Sequence, residues 1–408
     1  MTLCRQALTS CLVGAMCYVS RCEAGNWGAD ATFGVLGDYS TDPALLHQQD
    51  TEVGSSAVQI AAPIAYDDGS FKFTALPNLR VGTDSGYDTV TSDYEHLDLK
   101  GEYNSDRDSL SINAGAAQDS SLSYSYLING ATGVRRDALT GELKWDHHLT
   151  ERLEVFSTFD EQRIEFAQNK GTQLSDYGYS GISSGISWLN SARDKVTLQA
   201  DAARYYTFDT HDEFGFPTST ESRSGNVQVG ITHQLSELWT FTALAGASRE
   251  LDRSSYNLYF PYFMEVVVVP VVQDTGKNSA VYSTDLSHSG SRLSVGATLS
   301  RQYLPSGFAY LTRQDTYDLK ADYTLSERWS IGADARYVRY QNPPGVAVTS
   351  PDVAVRYVSL YTAWHWTELW TVTFTTTRLS ETYARNPYTL ASNEVTLTLS
   401  RQFGHFTL

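Results

Sequence analysis

Apolar and polar residues alternate along most of this chain. Leu139, Leu143 and Trp145 share one parity ahead of a polar break at Thr150-Glu151, and Ile331, Ala333, Ala335 and Tyr337 share one after Ser326-Glu327. A period of two predicts strands with one apolar face. The breaks repeat almost word for word: Leu-Thr-Glu-Arg-Leu at 149–153, Leu-Ser-Glu-Leu-Trp at 235–239, Leu-Ser-Glu-Arg-Trp at 325–329 and Trp-Thr-Glu-Leu-Trp at 366–370. A recurring tight polar turn between alternating segments predicts an array of hairpins.

Eight such turns can be placed, at 67–70, 105–107, 150–151, 192–194, 236–237, 289–291, 326–327 and 367–368. A spacing of roughly 40 residues fits two strands of about ten residues, one short turn and one longer loop. The longer connections fall near 40–56, 84–92, 120–136, 167–177, 208–223, 252–277, 304–311, 342–352 and 381–392. Nine of the 11 prolines lie in them, where no ladder donor is lost; Pro63 and Pro77 instead flank the first turn and make that hairpin the weakest assignment. Eight hairpins supply 16 strands, and a first strand near Ala29–Tyr39 with a last near Glu394–Phe403 raises the number to 18, with 16 as the alternative. Short turns on one side and long loops on the other predict an all-β, transmembrane, antiparallel up-and-down barrel with periplasmic turns and extracellular loops. Closure removes the sheet edges that lipid would not tolerate.

Composition narrows the compartment. Residues 1–24 read as an export signal, with Arg5, an apolar stretch from Ala7 to Tyr18 and a small-residue end at Cys22-Glu23-Ala24, leaving 25–408 as a single barrel domain. A membrane anchor is the alternative, but the run is short of the ~20 residues that span a bilayer. Leu8-Thr9-Ser10-Cys11 resembles a lipobox but lies too near the start for lipidation. All four cysteines fall in this segment, so the exported protein holds itself together without disulfides or thiolate metal sites. The net charge of −17 speaks against nucleic acid as a partner. Tyr (26) and Phe (16) are abundant, charged residues make up only 19%, and no apolar run after the signal is long enough for a helical span. A soluble exported β array is the competing class.

The aromatic residues orient the strands. Trp145, Trp188, Trp239, Trp329, Trp364, Trp366 and Trp370 all lie within a few residues of a tight turn. That clustering predicts an aromatic girdle at the periplasmic interface, since a soluble core would place Trp mid-strand. On the other parity stands a second repeat: Asp98, Lys100 and Glu102; Glu142, Lys144 and Asp146; Asp318, Lys320 and Asp322. Facing lipid, each charge would cost up to ~2–4 kcal/mol at the midplane, so these residues are expected to line the lumen. There they are either ion pairs that fill the interior or a lining that selects solutes.

Other segments carry less. The apolar stretch Tyr259 to Val272 within the 252–277 loop has three readings: an extension of the wall above the membrane, an inward constriction or plug, or a contact surface for another subunit. Gly181-Ile182-Ser183-Ser184-Gly185 matches the nucleophile-elbow pattern but continues as a strand from Tyr177 to Trp188, so no catalysis is assigned to it. His147 and His148 are adjacent, hence on opposite faces, and make a poor metal site. No catalytic set, metal site or cofactor site is expected.

The run from Tyr94 to Asp119 around Asn104-Ser105-Asp106-Arg107-Asp108-Ser109-Leu110, continuing through Arg136-Asp137-Ala138-Leu139 to Leu149–Leu153 and ending at Val395–Phe403, resembles an uncharacterised group of β-barrel porins of Gram-negative outer membranes. Some of that group accompany exopolysaccharide operons. The resemblance implies outer-membrane lipid as surroundings, periplasmic chaperones and the barrel-assembly machinery as partners, and recognition of a C-terminal aromatic residue. Gly404–Leu408 follows Phe403, so either Phe403 or Phe406 fills that role. The function expected is a passive channel for small solutes, and the alternative is a closed barrel that serves structurally or in surface-polysaccharide export or attachment.

Overall fold

Alternating segments of this kind bury nothing alone and must pair. The computed structural model describes residues 26–41, 52–85, 93–120, 135–167, 174–208, 218–262, 265–305, 311–341, 352–383 and 389–407; segment 1–24 lies outside them. Nineteen strands follow in order: β1 Asn26–Thr41, β2 Glu52–Ala61, β3 Ile64–Asp67, β4 Phe71–Ser85, β5 Tyr94–Asn104, β6 Asp108–Ser120, β7 Arg135–His148, β8 Leu153–Phe166, β9 Tyr177–Leu189 and β10 Asp194–Thr207. The second half comprises β11 Ser219–Gln234, β12 Trp239–Tyr262, β13 Glu265–Ser289, β14 Leu293–Pro305, β15 Leu311–Ser326, β16 Trp329–Gln341, β17 Val353–His365, β18 Trp370–Tyr383 and β19 Thr389–Thr407. They form one antiparallel sheet closed by β1 against β19, with Val35 opposite Leu399. Because β2 and β3 both lie between β1 and β4, they are two halves of one wall position, and the barrel has 18 positions rather than 16.

The break between β2 and β3 falls at Ala62-Pro63, where the missing proline N–H would interrupt a continuous strand. The wall stays closed there because the Asp30 N–H donates to the Pro63 carbonyl at 3.0 Å and the Ala62 N–H to the Pro77 carbonyl at 3.1 Å. Pro77 remains inside β4, opposite Leu97.

The eight turns lie where the polar breaks stand, and their hydrogen bonds explain the repeated phrase. Thr150 Oγ1 accepts from the N–H of Arg152 and Leu153, Ser236 Oγ from Leu238 and Trp239, and Thr367 Oγ1 from Leu369 and Trp370, at 3.0–3.3 Å. Ser105 and Ser191 do the same in turns of different wording. A hydroxyl that satisfies donors left free by a tight turn is a local reason for Ser or Thr at that place. In the first turn a carboxylate replaces it: Asp68 Oδ1 accepts from the Phe71 N–H at 2.7 Å and the Ser70 N–H at 3.1 Å. These bonds hold the exposed Asp68 carboxyl below its ordinary range, the Phe71 N–H contributing most. A folded value below the unfolded one stabilises the turn above about pH 4 and is lost as pH falls through the folded value. Asp68→Asn keeps an acceptor and removes the titration, so wild type should outlast it in urea at pH 7, with the gap closing as pH falls through the folded value.

Two faces result. Val227 and Val229 are 57% and 59% exposed on the outside of the wall, in a continuous apolar belt with Leu198, Ile182, Leu360 and Leu397. The opposite parity faces inward and holds the buried polar residues Asp119, Arg136, Ser222, Ser248, Glu250 and Asp252. An apolar outside and a polar inside invert the ordinary soluble arrangement.

The 252–277 segment is not a loop. β12 and β13 pair without interruption from Trp239 opposite His288 to Tyr262 opposite Glu265, well beyond their neighbours, since β11 reaches only as far as Ser219 opposite Ser255. The wall-extension reading therefore describes it. The proline argument is corrected with it: Pro261, Pro270 and Pro305 are strand residues, opposite Val266, Asn257 and Leu311. A missing N–H is tolerated at an unpaired edge, and β13 has no β14 partner beyond Tyr282. The connections at 208–223 and 381–392 are also shorter than expected, because β11 begins at Ser219 and β19 at Thr389.

Candidate functional site: the lumen

The inward parity brings the first two predicted charge repeats together and leaves the third apart. Lys100 and Asn113 are direct ladder partners, as are Asn113 and Glu142, and the Asn113 amide donates to Glu142 at 2.7 Å. Lysine bridges along the strand in both repeats, Lys100 to Glu102 at 2.6 Å and Lys144 to Asp146 at 3.3 Å. Asp98 lies beside Gly115 on the same face. The Lys100 and Lys144 side chains remain 55% and 50% exposed inside a closed wall, so space is left around them at this level.

Asp318, Lys320 and Asp322 stand on β15, far around the wall from β7. There the partners come from the neighbouring strands: Arg336 Nε donates to Asp318 at 2.5 Å, the Tyr361 hydroxyl donates to Asp322, and Lys320 has Asp334 as its ladder partner. Cross-strand partners dominate at this repeat because the neighbouring strand, unreadable from a local pattern, supplies them.

Toward the loop end the lumen narrows. β13 and β14 pair only from Ser289 opposite Ser294 to Tyr282 opposite Arg301, and beyond Arg301 the end of β14 leaves the wall. Leu311, at the start of β15, is fully buried in a cluster with Ala138, Ile164, Phe166, Tyr177 and Tyr205 from β7 to β10, and Tyr303 packs against the same cluster. β11, β12 and β13 separate β10 from β14 in the wall, so this contact requires the β14–β15 tip to cross the interior. Thr312, Gln314 and Asp315 are buried too, which covers both faces of the tip. A second apolar cluster, Val338, Tyr340, Val353, Val355 and Tyr383, lines the same end of β16 to β18 and buries Glu381, which accepts from the Tyr383 hydroxyl at 2.8 Å.

Beneath the tip lies a cavity of about 330 Å³ bounded by the inner faces of β8 to β13. Asp160 and Asp201 line it with Gln199, Asn226 and Gln228, and Asp201 accepts from the amides of Gln199 at 2.7 Å and Gln228 at 3.1 Å. Arg301 is the cationic side chain among its lining residues, and Asp315 holds that guanidinium by two bonds of 2.5 and 3.0 Å. The narrowed zone is therefore acidic. None of these groups belongs to a local sequence repeat. Asp160, Gln199, Asp201, Asn226 and Gln228 share the inward parity across β8 to β11, whereas Arg301 and Asp315 stand on the outward parity of the departing tip, and both facts appear only once the register is known.

Trp145, Trp188, Trp239, Trp329, Trp364 and Trp370 stand on the outward parity, and Trp366 lies in the turn after β17. Trp329 stacks on Trp364 at 5.8 Å, and Trp364 on Trp366 at 6.2 Å, while Trp239 meets His288 at 4.6 Å. Trp145 stacks on His147, and both bond to Asp108, at 3.2 and 2.7 Å. Trp188 is 54% exposed beside Leu189, and Trp370 lies under the Arg401 guanidinium. Arg401 also stands 5.0 Å from the Phe403 ring, and β19 continues so that Phe406 pairs with Ala29. Gly181–Gly185 is an uninterrupted part of β9, with Ser183 opposite Asp201, and has no elbow. Among the described residues no three His, Cys, Asp or Glu side chains converge on a metal position.

No family model and no curated protein matches this chain. Among solved structures, the barrel is similar in overall shape to OccK5 (OpdH) of Pseudomonas aeruginosa, at 11% identity over 92% of this chain and 98% of that one, with a TM-score of 0.45. It is similar also to OpdQ of Pseudomonas aeruginosa, at 11% identity, 94% and 99% coverage and a TM-score of 0.42. The ferric citrate transporter FecA in its unliganded form gives 9% identity, 94% and 79% coverage and a TM-score of 0.48. Likeness at this level describes shape alone; the pairing of its own strands makes this chain a closed antiparallel β-barrel of 18 wall positions.

Proposed function

We propose that the protein sits in the bacterial outer membrane and is a passive channel for small hydrophilic solutes, with a passage that favours cations and neutral solutes over anions. The observation that carries the reading is a charged lumen inside an apolar outer belt, narrowed at one end by an acidic zone. Barrels of this width keep an aqueous interior unless chain folds into it, and here a tip narrows that interior. The outward tryptophans at the turn end serve as the periplasmic girdle, which puts the β12–β13 arm outside the cell. The nine residues of the charge repeats act as the wide vestibule on the periplasmic side, and Asp160 with Asp201 sets the preference near the constriction. Assembly relies on the membrane's barrel-insertion machinery acting on the last strand, with Phe403 or Phe406 as its aromatic signal.

Conductance of the refolded full chain in planar bilayers tests this. Open-channel steps should appear, with a reversal potential of cation-selective sign in a KCl gradient. Asp160→Asn with Asp201→Asn should lower the cation-to-anion permeability ratio by roughly 2-fold or more. Absence of current under all conditions removes the channel reading. It would favour a closed barrel with a structural or surface-polysaccharide role; the Leu311 cluster across the lumen bears on the closure alone.

A further inference from the structure

One row of ladder partners gives the depth of every outward residue. It runs from His147, beside the turn end of β7, through Val229 and Ala245 to Arg339, and on to Thr389 at the loop end of β19. Rows therefore climb toward the loops with chain order, as a strand tilt of ~40° requires. Outward residues at one depth must step down relative to this row from strand to strand, and a set of arginines does so. Arg163 stands eight residues above the row at Val155 on β8, Arg204 and Arg223 six above it at Leu198 and Val229, and Arg249 four above it at Ala245. Arg339 lies in the row, Arg356 two residues below it at Ala354, and Arg378 four below it at Thr382. The fall offsets the climb, so these arginines form a collar at one depth, broken where β14 leaves the wall.

The collar marks the far edge of the apolar belt. Arg339, Arg356 and Arg378 stand eight to ten residues from the girdle tryptophans of their own strands, Trp329, Trp364 and Trp370. At ~3.3 Å per residue and a tilt of ~40°, that is ~20–25 Å of height, the thickness of a barrel's apolar band. Arginine alone supplies the collar's charge, whereas every lysine of the described strands lies on the inward parity. The planar arginine fork matches phosphate oxygens two at a time, which lysine cannot do. Around β8 to β11 the collar is already neutralised: Glu165 holds Arg163 at 2.9 Å, and Glu221 holds Arg204 and Arg223 at 2.9 and 2.7 Å. On β16 to β18 it is not. Arg339, Arg356 and Arg378 are exposed and pair with no carboxylate among the described residues, and Arg356 lies over the Tyr337 ring at 5.9 Å. Asp315, the acid beside Arg339 in the ladder, is held on both oxygens by Arg301. Successive arginines of this arc are diagonal neighbours, ~7–8 Å apart along the backbone. We propose that Arg339, Arg356 and Arg378 dock the phosphates of a phosphorylated glycolipid in the leaflet on the loop side, with its acyl chains along the apolar belt below. The inference rests on the outer-membrane reading for the leaflet that this arc meets. In a chain of net charge −17, an unneutralised cationic arc at that depth complements an anionic headgroup.

The test is native mass spectrometry of the refolded full chain in nonionic detergent, with diphosphoryl lipid A set against the same lipid stripped of both phosphates. The wild type should retain the phosphorylated form with a preference of ~5-fold or more. Arg339→Gln with Arg356→Gln and Arg378→Gln should bring that ratio to about 1. Arg107→Gln with Arg152→Gln and Arg328→Gln, which removes the same charge at the turn end, should leave it unchanged. No preference in the wild type would mean that the apolar belt alone holds the lipid, and equal loss in the two triple variants would mean a diffuse charge effect; either result overturns the proposal. If the first triple variant fails to refold, Arg356→Gln with Arg378→Gln decides, by a fall of ~2-fold or more against no change. The readout needs neither a current nor a native membrane, so its failure and the failure of the channel reading are separate results.

Discussion

Leu311→Asp should release the tip and raise single-channel conductance by ~2-fold or more, the largest functional change expected of any single substitution in this chain. Leu311 is fully buried against Ile164 and Tyr205, and a carboxylate placed there has no partner. Desolvating it costs more than the tip gains from its other contacts, so the end of β14 and β15 should swing toward solvent. The wall should remain intact, because β15 pairs with β16 from Arg313 downward. Retained heat-modifiable migration on gels would report the intact barrel while bilayer recording reports the pore. An intact barrel with unchanged conductance would place the tip outside the current path.

Gly246→Ala should be the most damaging conservative substitution for folding. A Cβ at Gly246 would stand 1.9 Å from the Val227 carbonyl oxygen and 2.7 Å from Gln228 Cα, both backbone atoms of the adjacent strand. A neighbouring side chain could rotate away, but a paired backbone cannot move without breaking its ladder. A cost of ~3 kcal/mol or more follows, read as a lower urea midpoint or a lost refolding yield. Gly141→Ala is the control, since nothing lies within 4 Å of the position its Cβ would take. Equal behaviour of the two would show that β11 and β12 are further apart than their register implies.

Most of the wall was legible because each of its signals is local. Parity within a strand, a hydroxyl two or three residues before the next strand, and Trp beside the turn can all be read in a window of ten residues. Thr150 and Ser236 show why the phrase repeats: the hydroxyl caps the turn, and the glutamate after it is a solvated passenger. The β12–β13 arm was harder to read, because valine-rich alternation interrupted by Pro261 and Pro270 resembles a loop until one sees that β13 has a free edge there. The site was legible only in part. Lys100 with Glu102 and Lys144 with Asp146 are neighbours along one strand, and the repeat exposes them. Asp160, Asp201 and Arg301 meet through the pairing of β8 to β13 and the departure of the end of β14, and no spacing in the chain encodes that meeting.

The seam between β1 and β19 has a kinetic consequence. Every other strand pairs with a near neighbour in the chain, whereas Ser40 and Ser392, whose hydroxyls meet at 3.1 Å, are 352 residues apart. Hairpins can therefore form early and in any order, each at the small entropic loss of a short loop. Closing the ring constrains nearly the whole chain at once, but that loss grows only with the logarithm of length once the intervening strands are paired. Until then two strands carry unsatisfied backbone groups, and the partly built sheet is prone to pair with another copy of itself.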